Sequence, residues 1–127
     1  MRVITVSDDK TVLSELELLK KNTSFQFDYY TGSRNSLDVI SFLFLKQQGY
    51  AIIDNDFLKN DTVKVISLLK QLNDQLNILF ITSDNSVALG REICPLGVLL
   101  YLIKPFEYGT LKEALISFNK VGTQLTD

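Results

Sequence analysis

Histidine is absent from the 127-residue sequence. Its absence removes Ser-His-Asp and Cys-His triads, histidine metal sites and imidazole acid–base catalysis, so any chemistry has to run on carboxylates, hydroxyls and amines. The single cysteine, Cys94, has no partner for an internal disulfide, and one cysteine without histidine cannot build a zinc site of the usual kinds. A reducing cytoplasm fits that usage. Long basic runs are missing too: 13 Lys and Arg face 15 Asp and Glu, a net charge of −2 that leaves little attraction for nucleic acid. The longest nearly apolar stretch, Val98 to Ile103, falls far short of the roughly 20 residues of a membrane helix. The opening Met-Arg-Val-Ile-Thr-Val carries no signal-peptide pattern. Together these absences predict a soluble, cytoplasmic domain with no direct contact to nucleic acid or membrane.

What remains has ordinary globular proportions, 46% apolar and 22% charged residues, at a length that holds one core. Short apolar runs alternate with segments of helical period, the mark of βαβ units and a parallel sheet. The runs are β1 at Val3–Val6, β2 at Phe25–Tyr29, β3 at Tyr50–Ile53, β4 at Asn77–Ile81 and β5 at Val98–Ile103. Helix α1 is expected over Thr11–Lys20, with Val12, Leu13, Leu16 and Leu19 on one face. Gly32-Ser33 supplies a turn and a candidate cap for α2, which extends to about Lys46 and presents Leu37, Ile40 and Phe44. Asp61 is a candidate cap for α3 at Thr62–Leu72. Helix α4 is expected at Ser86–Ile93 despite Gly90, and Leu111, Ala114, Leu115 and Phe118 make the stripe of α5. The fold class is therefore α/β, a doubly wound five-stranded parallel sheet flanked by five helices. The domain is expected over residues 1–120, followed by a polar tail or the start of a linker at 121–127.

In open α/β sheets ligands bind beyond the carboxyl ends of the strands. Here β1 ends in Ser7-Asp8-Asp9, β3 in Asp54-Asn55-Asp56, β4 in Thr82-Ser83 and β5 in Lys104-Pro105. Clustered carboxylates repel unless a cation is present, and an all-oxygen set suits a hard ion such as Mg²⁺. A carboxylate beside that ion, with an ammonium and a hydroxyl nearby, is equipped to attack a phosphoryl group and stabilise charge on its oxygens. The implied reaction is aspartyl-phosphate formation. Acids at loop starts are often only helix caps, and a lone lysine is usually a solvated one. It is the ordered set that carries the functional reading.

That set resembles the receiver domain of two-component response regulators, including the single-domain chemotaxis type, over nearly the whole chain. The matching elements are the acidic end of β1, Asp54 after Tyr-Ala-Ile-Ile, Thr82 after Ile-Leu-Phe-Ile, Gly97, and Tyr-Leu-Ile-Lys-Pro-Phe from Tyr101 to Phe106. The intervals of 28 residues from Asp54 to Thr82 and 22 from Thr82 to Lys104 are similar to the family's. The resemblance implies a flavodoxin-like sheet of order 2-1-3-4-5 and a phosphoacceptor at Asp54. It implies Mg²⁺ held by Asp8, Asp9, Asp54 and the backbone carbonyl of Asp56, and a Lys104 that pairs with Asp54 and then with the phosphoryl oxygens. Thr82 and Tyr101 become the switch pair, and Lys104-Pro105 a cis peptide. Implied partners are a sensor histidine kinase or phosphotransfer protein, and a downstream protein or second copy at the α4-β5-α5 face. Such a protein is a switch rather than a metabolic enzyme.

The sequence also departs from the family. Ser7 stands where the first of two acids is usual, which leaves two registers one residue apart; strand length and the α1 stripe favour Ser7-Asp8 as the matching pair, with Asp8 as principal metal carboxylate and Asp9 at the helix N-terminus. Phe57-Leu58 replaces a common Met-Pro, and Asp84 adds an acid near the cleft mouth. These departures motivate an alternative, a pseudo-receiver that keeps the fold and interacts constitutively. Leu99 and Leu100 suggest an apolar patch on the readout face. A flavodoxin-like cofactor binder is disfavoured, because no glycine-rich phosphate loop follows β1.

Overall fold

The computed structural model describes residues 2–46, 49–107 and 109–126. The apolar runs form β1 (Arg2–Val6), β2 (Gln26–Tyr29), β3 (Tyr50–Asp54), β4 (Asn77–Thr82) and β5 (Leu100–Ile103). All pairings are parallel, in the order β2-β1-β3-β4-β5. The central strands β3 and β4 are buried along nearly their whole length, as near-continuous Ile/Leu/Phe runs require when helices cover both sheet faces.

Alternation along the strands splits the core in two. Ile4, Val6, Ile53, Ile78 and Phe80 face one layer, with α2 (Ser36–Lys46), α3 (Thr62–Leu72) and α4 (Val87–Ile93). Val3, Ile52, Leu79 and Ile81 face the other, with α1 (Lys10–Asn22) and α5 (Thr110–Thr126). Besides these five helices, a single helical turn at Asn55–Leu58 follows β3 directly. No described helix is long and apolar enough to cross a membrane.

Several local expectations shift. Helix α2 starts at Ser36, with Asn35 accepting from the Leu37 N–H at 2.8 Å, while Ser33 lies in the turn before it. Its buried face is Ser36, Val39 and Leu43; Leu37 and Phe44 are exposed, because the helix carries more apolar residues than its packing stripe can cover. Asp61 precedes α3 but makes no side-chain cap; the Thr62 hydroxyl instead donates to the Lys59 carbonyl at 2.9 Å. Helix α5 continues to Thr126, through most of the stretch expected as a polar tail. Asp127 lies outside the described residues.

Phe80 is fully buried in the central strand with its ring 4.8 Å from that of Tyr101. Phe80→Ala should destabilise the domain by about 3–5 kcal/mol in equilibrium urea unfolding; a loss under 1 kcal/mol would show that this layer is not the core it appears in the packing.

Candidate functional site

The carboxyl ends of β1, β3, β4 and β5 meet at one edge of the sheet, and the register there decides which side chains converge. Asp54 lies across from Ile81, and Thr82 from Ile103. Asp54 is 0% exposed. A buried carboxylate has to be paired and hydrogen-bonded, and Asp54 is both. Its Oδ2 accepts from the Ser7 hydroxyl at 2.5 Å and from Lys104 Nζ at 2.8 Å, and its Oδ1 accepts from the Asp56 N–H at 3.0 Å.

Lys104 is the centre of the arrangement. Its ammonium also reaches Asp9 Oδ2 at 2.8 Å and Asp56 Oδ2 at 3.1 Å, so its three N–H groups meet three carboxylates. Burial works against the Lys104 charge, but the bonds to Asp54, Asp9 and Asp56 outweigh it and hold its pKa well above the usual lysine value. Burial likewise raises the Asp9 carboxyl; Lys104 and the Thr11 and Val12 N–H groups more than reverse that, and its pKa lies below the ordinary one. For Asp56, burial is offset by the Ser83 N–H and hydroxyl and by Lys104, again with a net lowering. The Lys104–Pro105 peptide is cis.

Sequence-predicted residues fall into two groups. Asp54, Lys104, Asp9 and Asp56 are brought together, and Asp56 does so through its side chain. Asp8 is not: its side chain is 59% exposed and pairs with Arg34 at 3.1 Å. Asp9 combines two roles, capping α1 through Oδ1 and facing Lys104 through Oδ2. Thr82 is buried, and its Oγ1 accepts from Asn55 Nδ2 at 3.1 Å and the Asp84 N–H at 3.0 Å. Tyr101 is half-buried against Phe80; burial, with Cys94 and Asp84 nearby, raises its phenol pKa. A polar cleft of about 670 Å³ opens beside the cluster, lined by Asp56, Lys59, Ser83, Asp84 and Glu92 among others. Asn55 and Arg34 were not singled out from sequence, since neither belongs to a recognisable spacing.

After β3 the chain takes one helical turn, Asn55–Leu58, and then Lys59 at φ 54°. That backbone conformation costs a non-glycine residue on the order of 1–3 kcal/mol. Burial of Phe57 and Leu58 beneath the turn holds it.

The fit to a divalent cation can be judged from the donors. Among the described residues no three acidic or cysteine side chains close on a common point as a ready-made metal site. The Lys104 ammonium instead lies 2.8 Å from Asp9, 2.8 Å from Asp54 and 3.1 Å from Asp56, a stand-in cation for the three carboxylates. One ammonium does not balance three carboxylates, and the donors are hard oxygens of the type Mg²⁺ accepts. In chemistry the set fits that ion.

No family model matches the sequence, and no curated protein matches it. Solved structures do. The signal receiver domain of a Vibrio parahaemolyticus protein assigned as a LuxO repressor superposes with a TM-score of 0.81 at 18% identity, covering 98% of this chain and 94% of that one. A CheY-like response regulator receiver domain protein from Methanospirillum hungatei gives 0.78 at 14% identity, covering 97% of each. The fold is that of receiver domains. A Burkholderia pseudomallei protein assigned to pilus assembly shares it as well, with a TM-score of 0.73 at 23% identity, covering 93% of this chain and 88% of that one. In this chain Asp54 and Thr82 end β3 and β4 and Lys104 follows β5, all at the carboxyl edge of the sheet.

The site contributes to the pH dependence of folding. Asp9 and Asp56 have depressed pKa values, so their contribution is present above the ordinary aspartate value of 3.8 and is lost as pH falls below it. Lys104 contributes fully below the ordinary lysine value of 10.5 and loses its effect only above it. Urea unfolding should therefore give nearly constant stability between about pH 8 and 5 and a decline below about pH 4. Lys104→Met should cost about 3 kcal/mol at neutral pH and flatten the acid limb, since Lys104 is among the causes that hold the Asp9 and Asp56 pKa values down. An unchanged acid limb in the variant would remove Lys104 from the centre of the cluster.

Proposed function

We propose that this domain is a signalling receiver that takes a phosphoryl group onto Asp54 from a sensor histidine kinase or phosphotransfer protein. The observation that carries the reading is the Lys104 ammonium 2.8 Å from Asp54 Oδ2, in a cluster of further carboxylates beyond the strand ends. The fold by itself does not choose a function, since it serves proteins assigned both to chemotaxis and to pilus assembly. The proposal therefore rests on the site.

In the step proposed, a carboxylate oxygen of Asp54 attacks phosphorus, the bond from phosphorus to the donor imidazole nitrogen breaks, and the imidazole leaves with its proton. Lys104 follows the new phosphoryl oxygens and offsets their charge. The Thr82 oxygen already accepts two N–H groups, from Asn55 and Asp84, so its own O–H is the donor left to reach a phosphoryl oxygen. Asp8, Asp9, Asp54 and the Asp56 carbonyl would hold Mg²⁺, which when bound neutralises charge on the transferring group. Movement of Thr82 frees space toward which the Tyr101 ring turns, coupling the site to α4, β5 and α5. Val87, Leu99 and Ile103 are exposed apolar residues on α4 and around β5, suited to a downstream partner or a second copy. Such a switch works in the cytoplasm and is not a metabolic enzyme.

A second reading, a constitutive interaction module, is favoured by the Ser7 hydroxyl bonded to Asp54 and by the complete burial of Asp54. Intact mass after incubation with acetyl phosphate, with and without Mg²⁺, separates the two. The receiver reading expects a Mg²⁺-dependent gain of one phosphoryl group that is lost in Asp54→Asn. No gain under either condition would leave the constitutive module.

A further inference from the structure

The β2–α2 loop is built to present one side chain. Tyr30 is buried, edge-on to Phe42 at 5.3 Å and Phe57 at 6.1 Å, and its hydroxyl donates to the Ser33 carbonyl at 2.5 Å. The chain wraps this ring so closely that a Cβ on Gly32 would lie 2.6 Å from the Tyr30 oxygen, so a glycine is needed there. Ser33 Oγ accepts from the Asn35 N–H at 3.2 Å and donates to Asp38 at 2.7 Å, tying the loop to α2. Between these anchors sits Arg34. Its guanidinium carbon is 5.2 Å from the centre of the Phe57 ring, and Nη2 is 3.1 Å from Asp8 Oδ2.

Asp8 is flanked by Ser7, bonded to Asp54, and Asp9, bonded to Lys104. Alternation along an extended segment turns Asp8 away from its neighbours, and the Arg34 contact holds it there. We propose that Arg34 is a positioning residue, a latch that keeps the Asp8 carboxylate out of the Asp54 cluster and competes for it with a divalent cation. The inference rests on the reading that such a cation binds beside Asp54. Cation–π contact with Phe57 pre-orders the guanidinium. Both partners of the ion pair are about half exposed, so the latch is weak, on the scale of about three- to five-fold in affinity. It can open without unfolding the site.

Calorimetric titration of Mn²⁺ and Mg²⁺ into the full chain at about 0.15 M salt tests this, with thermal unfolding of each variant as the control for folding. Arg34→Ala should bind the ions about three- to five-fold more tightly than the natural protein, Asp8→Asn more weakly, and the double variant like Asp8→Asn alone. A gain that survives in the double variant would be a general charge effect and would overturn the latch. So would unchanged or weaker binding by Arg34→Ala while the natural protein binds the ion. If no form binds either ion, the cation reading itself fails and the latch fails with it.

Discussion

The ammonium of Lys104 among the carboxylates of Asp9, Asp54 and Asp56 is the contact on which the functional edge of this domain depends. Asp54 has no access to solvent, and an ionised carboxylate in that position is tolerated only with a cation and hydrogen bonds in place. Three chain segments far apart in sequence, the ends of β1, β3 and β5, are held together by this one side chain. Its position also means that, in the phosphotransfer proposed above, the cation that would offset charge on the phosphoryl oxygens is already bonded to Asp54 at rest.

The sheet supplies what the contact needs. Parallel strands in the order β2-β1-β3-β4-β5 put the ends of β1 and β4 on either side of β3, so Ser7, Asp54 and Thr82 come from adjacent strands. Two dry layers of Ile, Val, Leu and Phe fix those strands, and the polar residues at their ends inherit that rigidity. The loops add the contacts around these ends. Ser7 donates its hydroxyl to Asp54, Asn55–Leu58 form a helical turn ending at Lys59 with positive φ, and Arg34 reaches across to Asp8.

Weakly held elements coincide with proposed movement. Asp8 and Arg34 are exposed partners, and Tyr101 is half-buried beside a fully buried Phe80. Asp54 and Lys104 lie where burial makes any rearrangement costly.

The sequence by itself determined the class of fold, because continuous apolar runs and intervening amphipathic segments admit few arrangements other than a covered parallel sheet. It put Asp54, Thr82 and Lys104 at the carboxyl ends of three strands, because each ends or directly follows an apolar run. The face that α2 buries was not legible, since Leu37 and Phe44 are as apolar as Val39 and Leu43 and only packing selects among them. Nor was the division of labour between Asp8 and Asp9. Two adjacent aspartates are chemically identical in sequence, and tertiary structure separates them by pointing one side chain at Lys104 and leaving the other for Arg34, a partner 26 residues away in an unremarked loop. Local pattern sets what can be buried; which polar atoms then meet is decided by directions of a few ångströms that arise only when the strand ends and loops are assembled.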